Sequence, residues 1–248
     1  MKTHAILLAG GSSNRFSNEE NKVYFPIGRR PALCWPLETL EKSSIIDSIV
    51  LVIREEDWDK TNNVIELVDP KKLIGVTVGG NSRHESEYEG LNYLKESNKV
   101  EDQDLILIHD GARPFLPEPL INELINVAIK YGGSAPGFSS INLSQKENSN
   151  EAEEDETIIE VQTPQVFPAK ELWESYELAK LDNWQAVDTT ECVSKYLGME
   201  AMIIPGDPRN MLSLIHISEP TRLLSIADGG LWVEKKRGGG GGGGGGGG

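Results

Sequence analysis

Cysteine and positive charge are scarce in this sequence of 248 residues. Its two cysteines, Cys34 and Cys192, belong to no CxxC or Cys/His cluster, which argues against a disulfide framework and against a zinc site. The 39 acidic residues outnumber the 24 basic ones, and the formal net charge of −15 would repel a nucleic acid backbone. We therefore expect a protein of the reducing cytoplasm that has no nucleic acid partner.

Long hydrophobic runs are also missing. The apolar run near the first residue covers only Ala5–Ala9, which is too short for the core of a signal peptide or for a membrane span. We expect a soluble protein that is neither exported nor embedded in a membrane. With 38% hydrophobic residues, the chain can still build one domain with a full core.

Short apolar runs rich in Ile, Val and Leu alternate along the chain with segments of helical spacing. The runs predict strands at Ala5–Ala9, Ile49–Ile53, Ile74–Val78, Leu105–Ile108 and Ala201–Ile204. The intervening spacing predicts helices over Pro31–Leu40, Ser82–Lys95, Pro119–Tyr131 and Ala169–Leu181. This alternation favours an α/β fold in which helices cover a largely parallel sheet.

Two segments depart from this alternation. Within residues 139–161, the stretch from Ser144 to Glu156 holds six carboxylates against one lysine, so we predict an excursion from the domain. After Met211 the sequence resembles translated adapter and homopolymer sequence, and its last eleven residues are all glycine. We expect one domain over 1–211 and an artefactual, disordered tail over 212–248 that has replaced the natural carboxyl end.

A glycine-containing loop follows the first predicted strand, at the place where α/β folds bind ligands. It reads AGGSSNRF over residues 9–16, and Lys22 comes shortly after it. Glycines let backbone N–H groups approach phosphates closely, while Arg15 and Lys22 supply the positive charge that phosphoryl or nucleotidyl transfer needs. Ordinary surface cations are the alternative. The spacing matches neither GxGxxG nor a Walker P-loop, which disfavours a dinucleotide oxidoreductase.

Two later turns also follow predicted strands. The GGNSRHES segment at 79–86 offers donors suited to a base edge or a phosphate, although such a turn is often only a helix start. The HDGARP segment at 109–114 places a carboxylate and a guanidinium at the end of the fourth strand. Asp110 is a natural Mg²⁺ ligand, with a structural ion pair to Arg113 as the alternative. We expect His109 to be a packed strand-end residue.

Taken in order, the segments AGGSSNRF, NKVYFPI, GGNSRHES, HDGARP and QTPQVF resemble the 2-C-methyl-D-erythritol 4-phosphate cytidylyltransferase family, with its ribitol-5-phosphate cytidylyltransferase relatives. The resemblance spans roughly Ala5 to Met211. It implies a Rossmann-like, mostly parallel sheet covered by helices, of the nucleotide-diphospho-sugar transferase type. It also implies a homodimer in which a projecting arm, about 139–161, reaches the partner's site.

The activity that the resemblance implies is transfer of a cytidylyl group from CTP to a polyol phosphate, with Mg²⁺ as cofactor and pyrophosphate as leaving group. The expected acceptor is 2-C-methyl-D-erythritol 4-phosphate, which places the reaction in isoprenoid precursor synthesis by the non-mevalonate pathway. In such enzymes the acceptor phosphate attacks the α-phosphorus of CTP directly, without a covalent enzyme intermediate.

The resemblance also implies a role for each matched residue. Transition-state stabilisation falls to Arg15 and Lys22. The nucleotide would be held by Ala9, Gly10, Gly11, Ser12, Gly80, Arg83, Ser86 and Asp110. Asp110 would also bind the metal. The acceptor would be faced by Arg113, Ser140, Thr163 and Asp188.

The sequence departs from the family pattern where the acceptor binds. Asp155, or a local deletion, stands where the arm carries an arginine, Val187 replaces a threonine, and Leu212 stands in place of a lysine. Two alternatives therefore stay open. One is ribitol 5-phosphate as the acceptor, and the other is a non-catalytic paralogue that binds CTP without turnover.

Overall fold

The structure, a computed structural model, describes residues 1–10, 21–97, 99–140 and 158–210. The contacts divide the chain into a unit Met1–Ser213 and a second unit Leu214–Gly248. The predicted tail at 212–248 and the part of the predicted excursion between 141 and 157 lie outside the described residues.

Ten strands and six α-helices make up the described residues, together with two short 3₁₀ turns. The strands are β1 (Thr3–Leu8), β2 (Pro26–Ile27), β3 (Arg30–Pro31), β4 (Ser48–Ile53), β5 (Leu73–Val78), β6 (Leu105–Asp110), β7 (Ser134–Ser140), β8 (Ile158–Val161), β9 (Gln165–Pro168) and β10 (Met202–Pro205). The helices are α1 (Cys34–Lys42), α2 (Trp58–Val68), α3 (Arg83–Glu96), α4 (Glu118–Tyr131), α5 (Ala169–Leu181) and α6 (Thr189–Leu197). No helix among them has the length and apolar character that crossing a membrane requires.

One mixed sheet organises the domain. Its order is β10-β7-β9-β6-β1-β4-β5, and β8 pairs with β7 off this path. The strands β5, β4, β1 and β6 run parallel, whereas β9 is antiparallel to both β6 and β7. The parallel half therefore brings the carboxyl ends of β1, β4 and β6 to one edge, and this edge carries the candidate site.

Alternating side chains of β1 feed two apolar cores, one on each face of the sheet. Ala5 and Leu7 pack on one face with residues of α1, α2 and α4. Ile6 and Leu8 pack on the other face with residues of α3, α5 and α6. Since helices cover both faces, the predicted α/β class is confirmed. The same burial explains why the central strands β1, β4 and β6 are largely apolar.

Some predicted elements need correction. The helix expected from Pro31 begins only at Cys34, because Pro31 pairs with Pro26 in the β2–β3 hairpin, whose turn contains Gly28 at a φ of 68°. The sequence pattern did not predict α2, whose buried residues are Thr61 and Val64.

The strand β7 was also missed. Its sequence SAPGFSS contains glycine, proline and serine, which are poor strand formers, and its backbone is held instead by pairing with β8, β9 and β10. The ends of the predicted excursion belong to this pairing, since Ser139 lies opposite Ile159 and Ser140 opposite Ile158.

Candidate functional site

The ends of β1 and β6 lie side by side at the carboxyl edge of the sheet. Leu8 is in register with Asp110, and the N–H of Gly111 donates to the carbonyl oxygen of Leu8 over 2.7 Å. A Cβ atom on Gly111 would lie 2.8 Å from that oxygen and 2.8 Å from Cδ1 of Leu33, so only glycine fits without movement. Asp110 and the loop that starts at Ala9 are therefore neighbours.

Asn21 bonds the chain that follows this loop to the same edge of the sheet. Its Nδ2 donates to the carbonyl oxygen of Ala9 (2.6 Å) and to Oδ2 of Asp57 (2.9 Å), and Asp57 in turn accepts from Nε of Arg54 (2.8 Å). Asn21 is only 3% exposed. Lys22 follows Asn21 directly, so this buried amide sets where the Lys22 backbone lies relative to the end of β1.

The second loop, GGNSRHES, contacts the first. The Oγ of Ser82 caps α3 by accepting the N–H of Glu85, and the hydroxyl of Ser86 donates to the Ser82 carbonyl over 2.8 Å. A Cβ on Gly10 would lie 3.6 Å from Oγ of Ser86. A Cβ on Gly80 would lie 2.2 Å from Cβ of Glu85, so glycine is needed here for the tight approach of loop and helix.

Asp110 lies between two guanidinium groups. The Nε of Arg83 is 3.2 Å from its Oδ1, and Nε of Arg113 is 3.5 Å from its Oδ2. Burial opposes ionisation of Asp110, but the charges of Arg83 and Arg113 outweigh it and lower the pKa of the carboxyl group. The ion pair between Asp110 and Arg113 that the sequence left as an alternative is therefore present, together with a second one.

A buried hydrogen-bond chain joins Thr163 to the end of β6. Its hydroxyl oxygen accepts the backbone N–H of Asp110 and lies 3.1 Å from Nδ1 of His109, while Nε2 of His109 is 3.2 Å from the carbonyl oxygen of Arg113. Because that carbonyl can only accept, Nε2 carries the proton and Nδ1 accepts from Thr163. Burial lowers the pKa of His109 to about 4. His109 is thus the packed strand-end residue that we predicted.

The other predicted acceptor residues already have partners within the protein. Arg113 donates from Nη1 to the carbonyl oxygen of Asn210 (2.8 Å), and Asn210 donates to the carbonyl oxygen of Thr163 (2.6 Å). Asp188 caps α6 by accepting the N–H of Glu191 (2.9 Å) and also accepts from Nε2 of Gln165 (3.2 Å). Thr163 and Asp188 therefore each have a structural role in the domain. That they also contact an acceptor stays a prediction.

The structure thus gathers most of the predicted residues at one edge of the sheet. Hydrogen bonds, ion pairs or close contacts connect Ala9, Gly10, Gly80, Arg83, Ser86, Asp110, Arg113 and Thr163, and Lys22 is next to Asn21. Arg15, Gly11 and Ser12 lie outside the described residues, as does the side chain of Ser140. Sequence reasoning gave no role to Asn21, although it opens the NKVYFPI segment, and it missed Glu87, which its spacing of four residues from Arg83 could have indicated.

Three buried donors of Arg83 and Arg113 have no hydrogen-bond partner among the described atoms. Nη1 of Arg83 and Nε of Arg113 are held by charge, to Glu87 and Asp110, rather than by well-directed bonds, and Nη2 of Arg83 has neither kind of partner there. Unpaired buried donors are costly, so an anion that accepts from them would be stabilised here. The arrangement can therefore bind an anion, and it places one carboxylate beside that anion.

Comparison with known proteins places the chain among nucleotidyltransferases. The family model "2-C-methyl-D-erythritol 4-phosphate cytidylyltransferase" matches residues 3–225. The protein of that name from Clostridium tetani is 35% identical over 214 residues, which cover 85% of this chain and 84% of the relative. The one from Clostridium beijerinckii is 32% identical and covers 89% and 94%.

Solved structures agree with this. The crystal structure of a 4-diphosphocytidyl-2C-methyl-D-erythritol synthase superposes with a TM-score of 0.69 at 25% identity, covering 90% of this chain and 99% of the other. The enzyme of the same name from Anaerococcus prevotii gives a TM-score of 0.68 at 25% identity, covering 90% and 96%. The fold type expected from the sequence is confirmed, whereas the domain boundary at residue 211 stays a prediction.

Proposed function

The chain belongs to the 2-C-methyl-D-erythritol 4-phosphate cytidylyltransferase family, and on that premise we propose that it transfers a cytidylyl group from CTP to 2-C-methyl-D-erythritol 4-phosphate. A phosphate oxygen of the acceptor attacks the α-phosphorus of CTP, the bond from that phosphorus to the bridging oxygen of the β-phosphate breaks, and pyrophosphate leaves. The product serves isoprenoid precursor synthesis. The observation that carries the proposal is the convergence of Ala9, Arg83 and Asp110 at one edge of the sheet.

Positive charge at that edge supports this chemistry. Negative charge builds on the phosphate oxygens as CTP reacts, and fixed cations in a site of low polarity stabilise it more than water does. We assign this role to Lys22, whose backbone position Asn21 sets, and to Arg15. We assign the nucleotide to the unpaired donor of Arg83 and to the backbone N–H of Gly10. The backbone of Ala9, which the resemblance gave the same role, already donates its N–H to the Val52 carbonyl oxygen (2.7 Å) and accepts from Asn21 at its own carbonyl.

We further propose Mg²⁺ as the cofactor, with Asp110 as its protein ligand. Mg²⁺ in nucleotide sites is held by one or two carboxylates plus phosphate oxygens, and a single carboxylate beside an anion site fits that requirement. We assign the remaining ligand positions to phosphate oxygens of the nucleotide and to water, which is how Mg²⁺ is usually held in such sites. When bound, Mg²⁺ would neutralise phosphate charge and hold the triphosphate in a reactive conformation.

A cytoplasmic homodimer completes the proposal. The backbones of Ser139 and Ile159, and of Ser140 and Ile158, are paired between β7 and β8. The sequence between these strands is where the resemblance puts the arm that reaches a partner. Sedimentation velocity of the full chain would test it, with a mass of two chains of 27.2 kDa as the expected result.

A pyrophosphate-release assay tests the activity. The full chain is incubated with Mg²⁺, CTP and 2-C-methyl-D-erythritol 4-phosphate, in parallel with ribitol 5-phosphate as acceptor and with UTP as donor. We expect the fastest release with CTP and the methylerythritol acceptor, and its loss in Asp110→Asn. Faster release with ribitol 5-phosphate would identify the other acceptor, and calorimetric CTP binding without any release would identify a non-catalytic binding protein.

A further inference from the structure

Glu87 is a carboxylate in the interior of the domain, one helical turn after Arg83. Its side chain is 0% exposed, and its Oε1 lies 2.7 Å from Nη1 of Arg83. Tyr176 donates to Oε2 over 2.6 Å, and Thr189 donates to Oε1 over 2.7 Å. Burial raises the pKa of Glu87, while Arg83 and the two hydroxyl groups stabilise its ionised form.

This carboxylate is held by three helices. Glu87 lies on α3, Tyr176 on α5 and Thr189 at the start of α6. The ring of Tyr176 also stacks on His84, with centroids 4.6 Å apart, which fixes its orientation. A charged group with three hydrogen-bonding or ionic partners on separate elements has little freedom to move, so Glu87 is a fixed negative charge behind Arg83.

Arg83 connects this fixed charge to the candidate site. Its Nη1 faces Glu87, and its Nε donates to Oδ1 of Asp110 over 3.2 Å. Asp110 is also paired with Arg113. Without Glu87, one carboxylate would face two guanidinium groups, and the surplus positive charge would repel a divalent cation. With Glu87, two carboxylates balance two guanidinium groups.

We propose that Glu87 is a positioning residue that lets Asp110 bind a divalent cation, because it neutralises Arg83 and holds it at the edge of the Asp110 carboxylate. The inference rests on the proposed function in taking Asp110 as the metal ligand. It adds a residue, distant from the cation itself, that controls how strongly the cation is held. Removing the charge of Glu87 leaves Arg83 to pair with Asp110 alone, and Arg83 then competes with the metal.

The test is a titration of the protein with Mn²⁺ in the presence of CTP, followed by electron paramagnetic resonance, which needs no turnover. In Glu87→Gln we expect the apparent dissociation constant for Mn²⁺ to rise about tenfold, since a nearby buried charge has been removed. The matched control is Asp104→Asn. Asp104 is also a buried carboxylate, 2% exposed and hydrogen-bonded to the backbone of Lys2, but it precedes β6 at the opposite end of the strand.

The proposal would be overturned if Glu87→Gln bound Mn²⁺ as tightly as the wild type. It would also be overturned if Asp104→Asn lost as much Mn²⁺ affinity as Glu87→Gln. Tyr176→Phe removes one donor to Glu87 and keeps every charge, so it covers the case in which Glu87→Gln does not fold. We expect it to weaken Mn²⁺ binding about twofold to threefold, and an unchanged constant would count against the proposal. Absence of pyrophosphate release by the wild type would instead refute the proposed function.

Discussion

The hydroxyl group of Thr163 lies 3.1 Å from Nδ1 of His109 and accepts the backbone N–H of Asp110 over the same distance. One buried hydroxyl therefore satisfies two polar groups at the end of β6, although Thr163 is 54 residues away from His109 along the chain. Because the Thr163 hydroxyl accepts the backbone N–H of Asp110, it holds the backbone of that residue in place. Thr163 therefore also helps to fix the position of the Asp110 carboxylate.

The first prediction concerns that hydroxyl. Thr163→Val keeps the shape of the side chain but leaves the Asp110 N–H and the His109 ring nitrogen unpaired, and we expect a loss of roughly 1–3 kcal/mol in the free energy of unfolding. Urea denaturation at neutral pH measures it. Thr163→Ser keeps the hydroxyl and should lose less stability. Equal stability of the valine and serine variants would contradict this role of the hydroxyl.

The second prediction concerns His84 and acid. Burial lowers the pKa of His84, which stacks on Tyr176, below the value of about 6.5 that it has in an unfolded chain. When the pH falls below 6.5, the unfolded chain binds a proton that the folded chain excludes, so the free energy of unfolding decreases. We expect His84→Phe, which keeps the stacked ring, to show a weaker decrease in urea titrations between about pH 7 and pH 5. An identical pH dependence would show that His84 is not responsible.

The third prediction compares two glycines of the site. In Gly111→Ala the new Cβ meets the Leu8 carbonyl oxygen at 2.8 Å, so the ends of β1 and β6 have to separate. We expect the free energy of unfolding, measured by thermal denaturation, to fall by roughly 2 kcal/mol. In Gly10→Ala the nearest atoms lie at 3.6 Å, an ordinary contact distance, and stability should be unchanged. A destabilisation as large in Gly10→Ala as in Gly111→Ala would contradict the steric explanation.

The fourth prediction concerns Asn21, which ties the chain before Lys22 to Ala9. Asn21→Ala removes the bonds to the Ala9 carbonyl and to Asp57, so the Lys22 backbone is no longer fixed, and we expect kcat to fall about tenfold with a smaller change in KM. Steady-state kinetics with CTP measures both. Asn62→Ala, at an exposed position of α2, is the control. A normal kcat in Asn21→Ala would show that Lys22 does not need this support.

Local sequence signals identified the parts of the fold that depend on neighbouring residues. The apolar runs predicted β1, β4, β5, β6 and β10 to within a few residues. For β1, β4 and β6 the reason is that a strand buried on both faces is apolar almost throughout. The same signals failed for β7, whose glycine, proline and serine form a strand only through pairing with β8, β9 and β10. Strand formation there is decided by tertiary context, which no local pattern contains.

For the site, the amino-acid sequence established which residue types were available, namely the glycine loops, Asp110 and the cations around them. It also carried the ordered motifs by which the family resemblance was found. The position of Arg83 between Glu87 and Asp110, and the bond by which Asn21 holds the chain before Lys22, became visible in the folded domain. These contacts depend on how distant elements pack, and the energy of a charge depends on the partners and the burial that this packing provides.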